Sequence, residues 1–216
     1  MAILSYILIA LGAYLLGSIP FGYLVAKAKG IDIRNVGSGN IGATNAMRVL
    51  GKPAGIIVLL MDALKGYIAV AFLATSGCIL AYPKIVESDS FCNNLHIVAG
   101  IFAVLGHNYT CWLKFKGGKG IATTAGVYLA LAPWPLLIAL LIFVLAVVLT
   151  RYVSVGSIAS AVALPAAVWI WPPQNLFLGV VTTALGALAI YKHKSNIQRL
   201  MAGTENRLGK KLEATK

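Results

Sequence analysis

Acidic residues are scarce in this chain: six Asp and Glu stand against 18 Lys and Arg, a formal net charge of +12 over 216 residues. Charged residues of both signs make up only 11% of it. With 59% hydrophobic residues and a mean hydropathy of +0.85, that shortage excludes an ordinary soluble domain. The three cysteines, Cys78, Cys92 and Cys111, have no metal-ligand spacing, and nothing in the sequence decides whether Cys78 and Cys92 are bridged. Dispersed histidines and few acids speak against a metal site, so neither metal nor cofactor is expected. Aromatic residues do not interleave with the basic ones, which argues against nucleic acid as a partner. No G-x-S-x-G nucleophile elbow occurs, since Ser38 lies in Gly-Ser-Gly-Asn.

What is present is a series of long apolar runs without the period-2 alternation of barrel strands. They predict an all-α integral membrane protein, one polytopic domain over 1–216. Clear spans fall at about 3–26, 54–78, 95–113, 153–171 and 176–191. The first run has no basic segment before it, and its first positive residue is Lys27, so a retained span is expected rather than a cleaved signal. The apolar stretch 121–150 is interrupted by Ala-Pro-Trp-Pro at 132–135 and reads as one tilted helix or two short ones.

Charge asymmetry separates the two readings. With spans at 121–133 and 135–150 there are seven, and the basic residues of 27–53, 114–120, Arg151 and 192–216 share one side, leaving Lys84 opposite and Lys65 within a span. With a single helix, Arg151 and the tail cross over and the bias disappears. Seven helices, N-terminus outside and C-terminus cytoplasmic, is the expectation. It brings three polar stretches, 35–52, 114–124 and 192–209, to the cytoplasmic face.

In the first stretch, Gly37, Gly39 and Gly42 allow positive φ and a nest of N–H groups around an anion, with Ser38 and Asn40 as side-chain donors. A short helix from about Asn40 puts Arg48 on one face with Thr44 and Asn45, where its guanidinium can clamp a phosphate. In the second, Gly117, Gly118 and Gly120 surround Lys119 just before a helix N-terminus, a phosphate cradle outside the Walker A frame. In the third, His193 and Asn196 share a face on a continuing helix, and Glu205 can pair with a basic neighbour. Each stretch also fits a plainer description: interfacial turns, charge anchors, a solvated histidine. His96 and His107 carry no reading beyond that last one. Asp62 and Lys65, at i and i+3 inside a span, read as a functional pair or as a self-neutralising structural one. Ser154 and Ser157 open the sixth span, and Ser157 reads as a site residue or a small packing residue.

Basic loops at a membrane face suit two functions: a transferase joining an anionic substrate to lipid, or a transporter of an organic phosphate anion. Transporters place their sites at midplane within internal repeats, and no repeat is visible. The enzyme is favoured.

The segments GSIPFG, RNVGSGNIGATNAMRVLGK, DALKG, GHNYTCWLKFKGGKGIATTAGV, RYVSVGSIAS and YKHKSNIQRLMAGTENR together resemble the bacterial acyl-phosphate-dependent glycerol-3-phosphate acyltransferases, the PlsY family. The likeness covers nearly the whole chain. The H-x-x-x-x-D signature of acyl-CoA-dependent relatives follows none of the three histidines. The resemblance implies acyl transfer from acyl phosphate to the sn-1 hydroxyl of glycerol 3-phosphate, giving lysophosphatidic acid and phosphate, the first acylation of phospholipid synthesis, in the bacterial inner membrane. It implies substrate assistance without a covalent intermediate, membrane lipids as neighbours, and coupling to the enzyme that makes acyl phosphate. Ser38, Asn40, Arg48, Lys119, His193 and Asn196 would form the site with the glycine loop and Ser157, and Glu205 would support it.

Overall fold

Pro20 breaks the first apolar run, because proline lacks an N–H and disfavours helical geometry in the residue before it. The computed structural model, which describes residues 2–81, 89–172 and 175–208, accordingly splits that run into α1 (Ala2–Ser18) and α2 (Phe21–Lys27). Lys84 and the tail residues Lys210, Lys211 and Lys216, counted above in the charge asymmetry, lie outside the described residues. Every regular element among the described residues is helical, so the all-α reading holds. The chain gathers into two units, Met1–Leu131 and Ala132–Lys216.

In the first unit α1 buries Ile9, Ala13 and Gly17 along one stripe. It exposes Leu4, Ile7, Leu8, Leu11 and Leu15 on the other. An apolar stripe left uncovered at helical spacing is a lipid-facing surface. The buried stripe meets α6 (Asp89–Asn108). There is no room for a side chain at Gly17 against the Ala103 backbone, nor at Gly106 against the Tyr14 carbonyl. Small residues thus let the two backbones touch, and the Tyr14 hydroxyl donates to the Tyr109 carbonyl at 2.7 Å.

Between them run α3 (Ala43–Leu50) and α4 (Lys52–Ile68), a π-helical segment Ala69–Ala74, and α5 (Thr75–Ala81). The unit closes with α7 (Ile121–Leu131). Gly66 and Gly126 join α4 to α7, each lying against a backbone carbonyl of the other helix. Several expected boundaries move. The span expected at 95 begins at Asp89, the helix expected near Asn40 begins at Ala43, and the run to 113 stops at Asn108, followed by a separate 3-10 turn Cys111–Leu113. The three cysteines are free thiols.

The second unit contains α8 (Pro133–Thr150), α9 (Val153–Ile170), α10 (Leu176–Lys192) and α11 (Lys194–Met201). Gly156 lets α9 approach Phe143 and Val147 of α8, and Gly186 lets α10 approach Ala161. Among the described residues, five helical stretches are long and apolar enough to cross a bilayer: Ala2–Lys27, Lys52–Ala81, Ser90–Leu113, Pro133–Thr150 and Val153–Ile170. The pair α10 and α11, bent by 52°, makes a sixth. Helix α7 has 11 residues, about 16 Å, short of the roughly 30 Å hydrocarbon core.

Candidate active site

The glycine-rich loop before α3 is organised by one side chain. Asn45, 2% exposed, accepts the Ser38 N–H at 2.9 Å. Its amide donates to the carbonyls of Ile33, Val36 and Asn40 at 3.3, 3.0 and 2.9 Å. Gly37, at φ +65°, lies so close to Asn45 Oδ1 that no side chain fits there. Gly39 N–H donates to Val36 O at 3.2 Å, and Gly42 N–H to Asn40 Oδ1 at 2.8 Å. The amides of Ser38, Gly39 and Gly42 are therefore spent on the loop itself, which corrects the expected nest. Asn45, expected to face a substrate, is turned inward as the loop's anchor.

Thr44 is exposed and Arg48 half-buried on α3, while the Ser38 side chain stands at the surface. At the loop's entry, hydrogen bonds from Arg34 hold the Asp32 carboxyl down to about 2, through contacts of 2.9 and 2.6 Å. Asp32 also accepts the Arg34 N–H, capping the turn Ile33–Asn35.

The second loop contradicts expectation in a similar way. Gly117 N–H donates to Asn108 O at 3.2 Å and Gly118 N–H to His107 O at 3.0 Å. A side chain at Gly117 would meet the His107 carbonyl, and one at Gly118 would run into the His107 ring. Gly120, at φ +84°, leaves 2.7 Å between a would-be Cβ and Asn108 Oδ1. These glycines allow a backbone to lie flat on the end of α6, so two of the three amides expected to face an anion face α6 instead. Lys119, half-buried, sits at the tip just before α7. The approach to it turns through Lys114 and Phe115, both at positive φ (54° and 59°). Leu113 packs in one apolar cluster with Ile33, Ile41 and Ala46 of the first motif and Val58 of α4. That cluster ties the two loops to a common base.

Beneath the second loop, Asp62 and Lys65 form the ion pair, at 2.8 Å, with both side chains almost fully buried. The Lys65 ammonium also donates to Ile19 O at 2.8 Å and lies 3.0 Å from His107 Nδ1. His107, read above as an interfacial histidine, is 5% exposed and completes this polar cluster. Sequence reasoning missed it. The available signal was a histidine ending a span ten residues ahead of Gly117, in a chain with few polar residues to bury.

In the second unit the helix expected to continue through His193 bends there. His193 ends α10 and opens α11. Its Nδ1 lies 2.7 Å from the Ala189 carbonyl. A carbonyl only accepts, so Nδ1 carries the hydrogen and Nε2 is the acceptor of the neutral ring. Asn196, 7% exposed, donates to Glu205 Oε1 at 2.7 Å, and Arg199 Nε donates to Oε2 at 2.7 Å. Burial pushes the Glu205 carboxyl up, but hydrogen bonds from Asn196 and Arg199, with the Ser154 hydroxyl close by, hold it below the usual glutamate range. The Ser154 hydroxyl is buried without hydrogen-bond alignment to any partner. The Ser157 hydroxyl donates back to Val153 O at 3.0 Å. Arg207 reaches the Tyr152 hydroxyl at 3.0 Å, and Leu208 N–H donates to Arg151 O at 2.7 Å.

Fold and side chains of the described residues together define a multi-pass helical membrane protein. The chain belongs to the glycerol-3-phosphate acyltransferase family, whose model matches residues 7–203. The glycerol-3-phosphate acyltransferase of Desulforamulus reducens is 47% identical over 213 residues, 96% of this chain and 98% of that one. That of Geotalea daltonii is 46% identical over 202 residues, 94% of this chain and 97% of that one. The crystal structure of PlsY, an integral membrane glycerol 3-phosphate acyltransferase, in its glycerol 3-phosphate form has a TM-score of 0.83 and 39% identity, covering 95% of this chain and 96% of that chain. The lysophosphatidic acid form of PlsY gives 0.80 and 37% over the same shares. The sequence resemblance to this family is thereby borne out.

Proposed function

We propose that this protein transfers a fatty acyl group from acyl phosphate to the sn-1 hydroxyl of glycerol 3-phosphate at the cytoplasmic face of a bacterial inner membrane. Family membership carries the acceptor, and the related PlsY structures in glycerol 3-phosphate and lysophosphatidic acid forms fit an acceptor and its product. The charge asymmetry supports seven crossings, with the N-terminus outside and α7 as a short fourth one.

Two phosphate-bearing substrates bring several negative charges together. Arg48 on α3 and Lys119 on the second loop, whose segments share one apolar base, screen that charge, and the exposed Ser38 hydroxyl donates to a phosphate oxygen. The glycerol oxygen attacks the acyl carbonyl carbon, the carbonyl–phosphate C–O bond breaks, and inorganic phosphate leaves. Phosphate is a good leaving group, so positioning suffices and no covalent enzyme intermediate is required. A phosphate oxygen of the substrates takes the hydroxyl proton. His193, Asn196 and Ser157 are assigned to the same reaction through the resemblance, His193 orienting the glycerol hydroxyl through Nε2.

The purified protein in detergent, given glycerol 3-phosphate with acyl phosphate or with acyl-CoA, should release phosphate and form the 1-acyl product from the first donor alone. Turnover with acyl-CoA would overturn the donor. No turnover, with phosphate-ester uptake into proteoliposomes, would overturn the enzyme reading.

A further inference from the structure

An ammonium has three hydrogens and no lone pair. Lys65 Nζ donates to Ile19 O at 2.8 Å and lies 3.0 Å from His107 Nδ1, and its 2.8 Å approach to Asp62 Oδ1 is an ion contact without hydrogen-bond alignment. His107 Nδ1 is 3.5 Å from Asp62 Oδ1, so the shorter contact is the one to Lys65. Nδ1 is therefore an acceptor, and Nε2 carries the ring hydrogen. That side of the ring is where a Gly118 side chain would lie, and the His107 carbonyl holds the Gly118 N–H at 3.0 Å.

A buried ion pair is weak evidence for stability, since an apolar pair of similar volume often packs as well. An apolar pair, however, cannot aim an imidazole. We infer that Asp62, Lys65 and His107 form a positioning relay for the loop that carries Lys119. The ion pair sets the orientation of the His107 ring, and the ring and its carbonyl set the path of 117–120. His107 is a positioning residue for the transfer reaction. The inference rests on the reading of that loop as a phosphate-binding one.

The test is a double-mutant cycle on the full-length protein in detergent: His107→Ala, Gly118→Ala and both together, followed by melting temperature, kcat and KM for each substrate. Each single variant should raise KM for one phosphate substrate by about tenfold or more, with a smaller change for the other. The double variant should be no worse than His107→Ala, because the added methyl then finds the space the ring vacated. Melting temperatures should be sub-additive in the same sense. His107→Asn, which keeps an acceptor for Lys65 without the ring, should melt near the wild type yet show the raised KM, and it decides the matter if His107→Ala does not fold. Multiplicative losses in the double variant, or lower melting temperatures with both KM values unchanged, would overturn the relay. If the wild type turns over no donor, the functional reading fails by itself. The melting-temperature cycle still decides the contact, and additive shifts there overturn it.

Discussion

Asn45 Oδ1 receives the Ser38 N–H at 2.9 Å, so a buried amide on α3 sets the place of an exposed serine seven residues earlier. Asn45→Ala should strip partners from the Ser38 N–H and the carbonyls of Ile33, Val36 and Asn40. The expected loss is about 1–3 kcal/mol of stability, read as a lower melting temperature, together with reduced kcat/KM. Ser38→Ala should leave melting unchanged and still lower kcat/KM by about tenfold or more. Equal melting losses in the two variants would contradict this division of labour.

Gly126 of α7 lies against the Ala63 carbonyl of α4, with Gly66 against the Thr123 carbonyl. Backbone cannot yield as the tip of a flexible side chain can. Gly126→Ala should cost about 1–3 kcal/mol and depress melting more than Gly30→Ala, whose site is open although its φ of +74° carries some strain.

The folded Glu205 carboxyl titrates below its ordinary value. Its contribution to stability is then present above the ordinary glutamate value of about 4.3 and is lost as pH falls through the folded value. Melting temperature followed from neutral pH downward should fall more steeply for the wild type than for Glu205→Gln. The variant should melt lower at neutral pH. Parallel curves would remove Glu205 from the acid sensitivity.

His193 offers Nε2 while Nδ1 is tied to Ala189. If it orients substrate, His193→Gln should keep clearly more kcat than His193→Ala, because the glutamine amide reaches the Nε2 position. A Gln variant as inactive as Ala, with a wild-type acidic limb that follows a single imidazole titration, would instead assign proton abstraction to His193.

The helical class was legible in the apolar runs, and the division at 131–133 in two prolines that interrupt one of them. The polar stretches were legible as chemistry because lysine, arginine and asparagine are rare in lipid-facing helices. The direction of the glycine loops was not legible. A glycine that frees an amide for an anion and one that lets backbone lie on another helix have the same letter, and only the position of His107 against Gly118 separates them. The inward turn of Asn45 was hidden for the same reason, since a polar residue on a short helix can face a ligand or its own loop. The bend at His193 was also beyond the sequence, where no proline or glycine lies between Gly186 and Gly203 to mark it.

The π-helical segment Ala69–Ala74 fits one more residue into the span than an α-helix of equal rise would hold. Each residue of an α-helix advances the side-chain direction by about 100°, so everything beyond the segment is rotated by about that amount. This rotation is what aims Thr75 at α6, where its hydroxyl meets His96 Nε2 at 3.0 Å. Making 69–74 α-helical at its present length would swing Thr75 and Cys78 off that neighbour by about 100°, whereas removing one residue of the segment would restore the α-helix and leave both facing α6. The apolar composition would hardly change, so a hydropathy profile would not register the difference.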